Sequence, residues 1–92
     1  MDCLANIKFL DARDQPINGL VHQLWMGSLL ISDYVTPASG ESVWIKRPVG
    51  TIIDVRVRSI VTGEYNSKVK IQIIGEKTIF IVRSTKIFIK GV

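Results

Sequence analysis

The stretch Ile53-Asp54-Val55-Arg56-Val57-Arg58 places three β-branched apolar side chains in strict alternation with three charged ones, a few residues after Arg47-Pro48-Val49-Gly50. A period of two is the signature of a strand with one buried and one solvated face. The same period recurs outward from it. Val69, Ile71 and Ile73 alternate with Lys68, Lys70 and Gln72, and Ile7 and Phe9 flank Lys8. The expected strands are 6–11, 20–26, 30–35, 42–45, 51–60, 68–74, 78–84 and 87–89, with the turn of a helix tolerable near 33–39.

Between them lie turn formers. Pro16 sets its own φ and pushes Gln15 toward an extended conformation, so Pro16-Ile17-Asn18-Gly19 forms a rigid corner. Met26-Gly27-Ser28-Leu29 reads as a hairpin turn, Thr36–Glu41 as a loop, and Gly75-Glu76-Lys77 as a second hairpin. With glycine in fourth place, Arg47-Pro48-Val49-Gly50 fits a type I turn. Leu20, His22 and Leu24 are expected inward, with Trp25 near a rim, and the short strand 42–45 brings in Trp44. Seven or eight short strands at this spacing define an all-β fold, an antiparallel β-sandwich.

Ninety-two residues with 47 % hydrophobic content make a single domain, 1–92, whose sequence stops immediately after a strand-like run, as an excised piece of a longer protein would. A chain of this length buries roughly 60–65% of its unfolded surface, so its margin of stability is small. Its one cysteine, Cys3, has no disulfide partner and no second thiol for zinc, and close to the terminus it is expected to be inert and partly covered. An acid at Asp2 stands where a secretory leader needs basic residues, and no apolar run approaches the length of a membrane span. Synthesis in the cytoplasm, with any export by a leaderless route, is the expectation.

The net charge of +4 is unevenly placed. Lys8 and Arg13 are the only cations as far as Ile45, whereas ten follow it against Asp54, Glu64 and Glu76. Such a bias suits anionic partners, or it is a solvated face that also blocks edge-to-edge aggregation.

Candidates for chemistry are few. His22 is the sole imidazole, and Ser32 and Asp33 on the neighbouring strand complete a Ser/His/Asp set only on paper, without a nucleophile turn or oxyanion donors. Acid pairs such as Asp11 with Asp14, or Asp54 with Glu41, sit in turns and on strand faces rather than across a cleft. No phosphate loop, zinc-protease or calcium-loop spacing occurs, so no catalytic residue, cofactor or metal is assigned. A nucleic-acid partner is not expected, since there is no recognition helix or RNA-binding signature.

Binding is the remaining chemistry. Arg56 and Arg58 on the outward face of the fifth strand, Lys46 and Arg47 before it, and the rings of Trp25 and Trp44 form a candidate basic-aromatic patch. The competing reading has Trp44 filling the core and both arginines pairing across strands with acids.

The corner Asp11-Ala12-Arg13-Asp14-Gln15-Pro16-Ile17-Asn18-Gly19, the loop Thr36-Pro37-Ala38-Ser39-Gly40-Glu41 and the turn Pro48-Val49-Gly50-Thr51, each between strands, resemble the prealbumin-like (transthyretin-like) β-sandwich modules, including carboxypeptidase regulatory-like ones. The likeness covers roughly residues 7–58. It departs at Asp14, where those modules have glycine, and at Pro37, where they have aspartate. The resemblance implies a prealbumin-like sandwich of the sort found in bacterial cell-wall hydrolases and in type VI secretion toxin or spike proteins. There it is a non-catalytic adaptor that docks a protein partner or flanking catalytic domain; the alternative is a peptidoglycan or glycan binder that tethers a hydrolase.

Overall fold

The computed structural model describes residues 2–84, and the expected last strand, 87–89, lies outside them. Seven strands form two sheets: β1 (Asp2–Leu10), β2 (Val21–Met26), β3 (Leu29–Val35), β4 (Ile45–Pro48), β5 (Ile52–Arg58), β6 (Tyr65–Gln72) and β7 (Lys77–Arg83). One sheet has the order β4-β1-β7, the other β3-β2-β5-β6. The expected all-β sandwich is the observed one, and the segment 33–39 contains no helical turn.

The core is the layer between the sheets. Cys3, Ala5, Ile7 and Phe9 of β1 meet Leu24 of β2, Ile53 and Val55 of β5, and Ile71 and Ile73 from β6 and the residues after it. Each set is spaced by two, because only alternate side chains of a pleated strand face one layer. Leu20, His22 and Leu24 point inward as their spacing predicts. Cys3 is better covered than its place near the terminus implied, since β1 begins four residues earlier than expected.

Two connections differ from the sequence-based expectation. Residues 75–77 do not close a hairpin. Ile73 still pairs with the chain before β5, exchanging hydrogen bonds with Gly50 and Thr51, and the chain then crosses to the other sheet, where Leu4 N donates to Glu76 O at 2.8 Å. There β7 runs parallel to β1 from Leu4↔Lys77 to Leu10↔Arg83, the one parallel pair among the described residues. A parallel pair needs a long connection, and nearly the whole chain between β1 and β7 supplies it. The second difference is at the β4–β5 turn, which is shifted by one residue: Thr51 N donates to Pro48 O, and Gly50 holds φ +91° in third place, the type II position. Arg47 and Pro48 therefore end a strand.

The corner and loop that carry the resemblance are tied together. Asp11 Oδ1 accepts from the amides of Arg13 and Gln15 at 2.8 and 3.0 Å, capping the corner. Asp14, where the resembled modules have glycine, sits at φ +61°, a conformation aspartate tolerates better than most residues. Buried Thr36 joins corner to loop: its Oγ1 accepts from Leu20 N at 2.9 Å and donates to Ile17 O at 2.5 Å.

Candidate interaction surfaces

His22 is the buried group with most chemical potential, and the fold consumes both its nitrogens. Nδ1 lies 3.0 Å from the Leu20 carbonyl, an acceptor, so Nδ1 carries the hydrogen and Nε2 accepts from Ser42 Oγ at 2.5 Å. Phe9 packs on the ring at 4.8 Å and Tyr34 meets it edge-on at 6.1 Å. Burial pushes the imidazole pKa below its ordinary value, against smaller upward contributions from the Leu20 carbonyl and Asp33. The Ser32/His22/Asp33 set is not assembled: Asp33 lies opposite Gln23 and accepts from its amide at 3.4 Å. Ser42, on a loop twenty residues away, is the actual partner.

The basic-aromatic candidates divide between the two sheets. On the outer face of the four-stranded sheet, Trp25 stands opposite Asp54, and the Arg56 guanidinium lies 4.5 Å above the indole. Arg56 Nε donates to Asp54 Oδ2 at 2.9 Å, Ser67 Oγ to Asp54 Oδ1 at 2.5 Å, and Trp25 Nε1 to Gln23 Oε1 at 3.0 Å. Burial would raise the Asp54 pKa. The hydrogen bonds from Ser67 and Arg56 and the charges of Arg56 and Lys70 outweigh it and hold the carboxyl below its usual value. This cluster is closed upon itself. Arg56 finds its acid two positions along its own strand rather than across the sheet, and its stacking covers the ring a ligand would use.

Lys46 belongs to the other sheet, and Trp44 lies just before β4, since residues 42–44 do not form the expected strand. Lys46, Leu4 and Lys77 share one row across β4, β1 and β7, so their side chains leave by the same face. Arg47 is opposite buried Cys3, on the reverse side of β4, and its Nη1 donates to the Lys46 carbonyl. Trp44 precedes inward-facing Ile45 and does not fill the core; it is 43% exposed, with Lys77 Nζ 5.2 Å from its ring centroid. Leu4, Ile79 and Ile81 on this face are 38%, 44% and 51% exposed, and Asn6, the register partner of Ile79, is buried among them. Lys8 shares a row with Ile81. Among the described residues Lys8, Lys46 and Lys77 form no ion pair, unlike Arg56 and Arg83, which hold Asp54 and Asp14. Arg58, at the far end of β5 opposite Tyr65, is exposed and lines a cleft at one end of the sandwich.

Sequence reasoning thus found Trp44 and Lys46 but missed Leu4, Ile79, Ile81 and Lys77. The signal was present in the unbroken run Ile79-Phe80-Ile81-Val82, which makes β7 apolar on both faces.

What the geometry defines is a class, a small two-sheet β-sandwich domain with one apolar, lysine-fringed outer face. The chain matches no family model and no sequence among curated proteins. Among solved structures its fold is similar to part of one described as the Bacillus anthracis TIE protein, with a TM-score of 0.63 and 16% identity. That match covers 89% of this chain and 16% of the other, so this chain spans about a sixth of that protein's length.

Proposed function

We propose that the chain is a non-catalytic docking module that packs the outer face of its β4-β1-β7 sheet against a protein partner or a flanking domain. The observation that carries this is the exposure of Leu4, Trp44, Ile79 and Ile81 on one side of the sheet, around buried Asn6, beside lysines that form no ion pair among the described residues. Exposed apolar surface with a polar rim is what an interface needs, and an aromatic ring such as that of Trp44 is a typical anchor. The fringe of Lys8, Lys46 and Lys77 favours a partner whose own rim is acidic. A prealbumin-like character, and a bacterial secreted or cell-wall-degrading parent, belong to the same proposal. The prealbumin-like character is supported by the positive φ of Gly19, Gly40 and Gly50 at the motif turns.

Glycan binding through paired tryptophans loses its platform, because Trp25 and Trp44 stand on different sides of the sandwich and Trp25 is capped by Arg56.

Site-specific photocross-linking in the full-length parent tests the proposal. A benzophenone side chain at position 81 is expected to join the module to a neighbouring domain or co-purified partner, whereas one at position 70, on the opposite sheet, is not. Cross-linking from position 70 alone, or from neither, refutes docking through this face.

A further inference from the structure

Where the β5–β6 hairpin tip approaches the end of β7, the two sheets part and leave a cleft of about 360 Å³, within the range of small-molecule sites. Its floor is core: Phe9, Ile17, Leu20 and Val82. At its rim Ile60 and Val61 are 89% and 88% exposed, so two β-branched side chains border the opening with almost no cover.

The polar groups at this cleft are placed by a defect in the sheet. The β5–β6 register runs Val55↔Val69 and then Arg56↔Ser67, which leaves Lys68 as the extra residue of a bulge. Without the bulge, Lys68 would share the solvent face with Lys70 and Gln72, as its alternation in sequence implies. Instead it lines the cleft together with Asn66, the register partner of inward-facing Val57. Bulges re-aim side chains in this way, often beside functional sites. Arg58 lines the same space. No acid does, and neither Arg58 nor Lys68 forms an ion pair among the described residues.

An apolar floor beneath two uncompensated cations matches one kind of occupant, a molecule with a hydrocarbon body and an anionic head. A purely apolar guest would strip water from Arg58 and Lys68 without replacing it, and a small polar anion would leave the floor and the Ile60/Val61 rim wet. We propose that this cleft binds a medium-chain acyl carboxylate, its tail on Phe9, Leu20 and Val82 and its head group held by Arg58 and Lys68 through charge-assisted hydrogen bonds. This goes beyond the docking function, since it uses the opposite end of β7 from Lys77 and none of the residues of the docking face.

Isothermal titration of the intact chain with sodium decanoate, below its micelle concentration, tests the assignment. Saturable binding at one-to-one stoichiometry is expected, with acetate and decanol each weaker by about tenfold or more, since each lacks half of the recognised structure. Arg58→Ser with Lys68→Ser should weaken decanoate by about tenfold or more, and Ile60→Ser with Val61→Ser should weaken it severalfold. All four residues are exposed, so thermal melts of these variants should stay close to the parent's. The assignment is overturned by absence of saturation, by several ligands bound per chain, by decanol binding as well as decanoate, or by undiminished affinity in the Arg58/Lys68 variant.

Discussion

Replacing Gly40 with alanine should cost far more than the same change at Gly19, although both residues have positive φ, +73° and +80°. Each substitution forces an L-residue into the left-handed region, at about 1–2 kcal/mol. At Gly19 that is the whole effect, because nothing lies within 4 Å of the new methyl group. At Gly40 the methyl would sit 2.7 Å from the Phe9 carbonyl oxygen, 3.0 Å from Pro16 Cβ and 3.1 Å from Ile17 N. The nearest atom is backbone and cannot swing aside. The Phe9 carbonyl accepts from Ile17 N at 3.0 Å, and Phe9 N donates to Gly40 O at 2.8 Å, so any retreat stretches the bonds that join loop, corner and β1. Loss of one such buried bond adds about 1–3 kcal/mol, giving a total of about 2–5 kcal/mol. A domain of this size has roughly 5–14 kcal/mol of stability in all. In urea unfolding followed by tryptophan fluorescence, Gly19→Ala should lower the midpoint moderately and Gly40→Ala two- to threefold further, about 4–8 °C of Tm per kcal/mol in a parallel melt. Equal losses for the two variants would show that the loop does not press against β1 as described.

Because the pKa of His22 is lowered in the folded state, the unfolded chain binds more protons at mildly acidic pH. Its contribution to stability is complete above about pH 6.5 and is lost as the pH falls through the lowered folded value. Urea midpoints measured between pH 8 and pH 5 should therefore decline toward acid, and this decline should flatten in His22→Phe if the variant folds; an identical slope would assign the protons elsewhere. The Cys3 thiol, 3% exposed and facing the core, should react with an aromatic disulfide reagent only as fast as the fold opens. Immediate stoichiometric reaction in the native protein would mean that the start of β1 is not packed as described.

The strands with contrasting faces were legible because their composition reports burial directly. Ile53 and Val55 could only be inward once Asp54 and Arg56 were outward, and the Leu20/His22/Leu24 face followed from the same rule. Gly19 was legible too, since it takes the positive φ its corner calls for, whereas Gly50 proved to hold the third place of its turn rather than the fourth. What failed was pairing. Nothing in Ile73-Ile74-Gly75-Glu76-Lys77 distinguishes a chain that folds back from one that crosses to the opposite sheet. Likewise, alternation in Lys68–Ile74 gives no sign of the bulge that turns Lys68 toward the cleft.

Local order alone therefore decided that this is a short-stranded sandwich with a basic second half, because side-chain period and turn chemistry act over a few residues. Only the tertiary structure decided which cations and rings share a surface. It stacked Arg56 on Trp25 and bound it to Asp54, carried Lys46 and Trp44 to the other side of the sandwich, and set Lys77 beside Leu4 and Ile81 beside Lys8 through the parallel pairing of β1 with β7. Apart from Arg56 and Asp54, those neighbours are tens of residues apart in sequence. Their meeting depends on which strand edges find each other, a choice made by the burial of the whole core rather than by any segment within it.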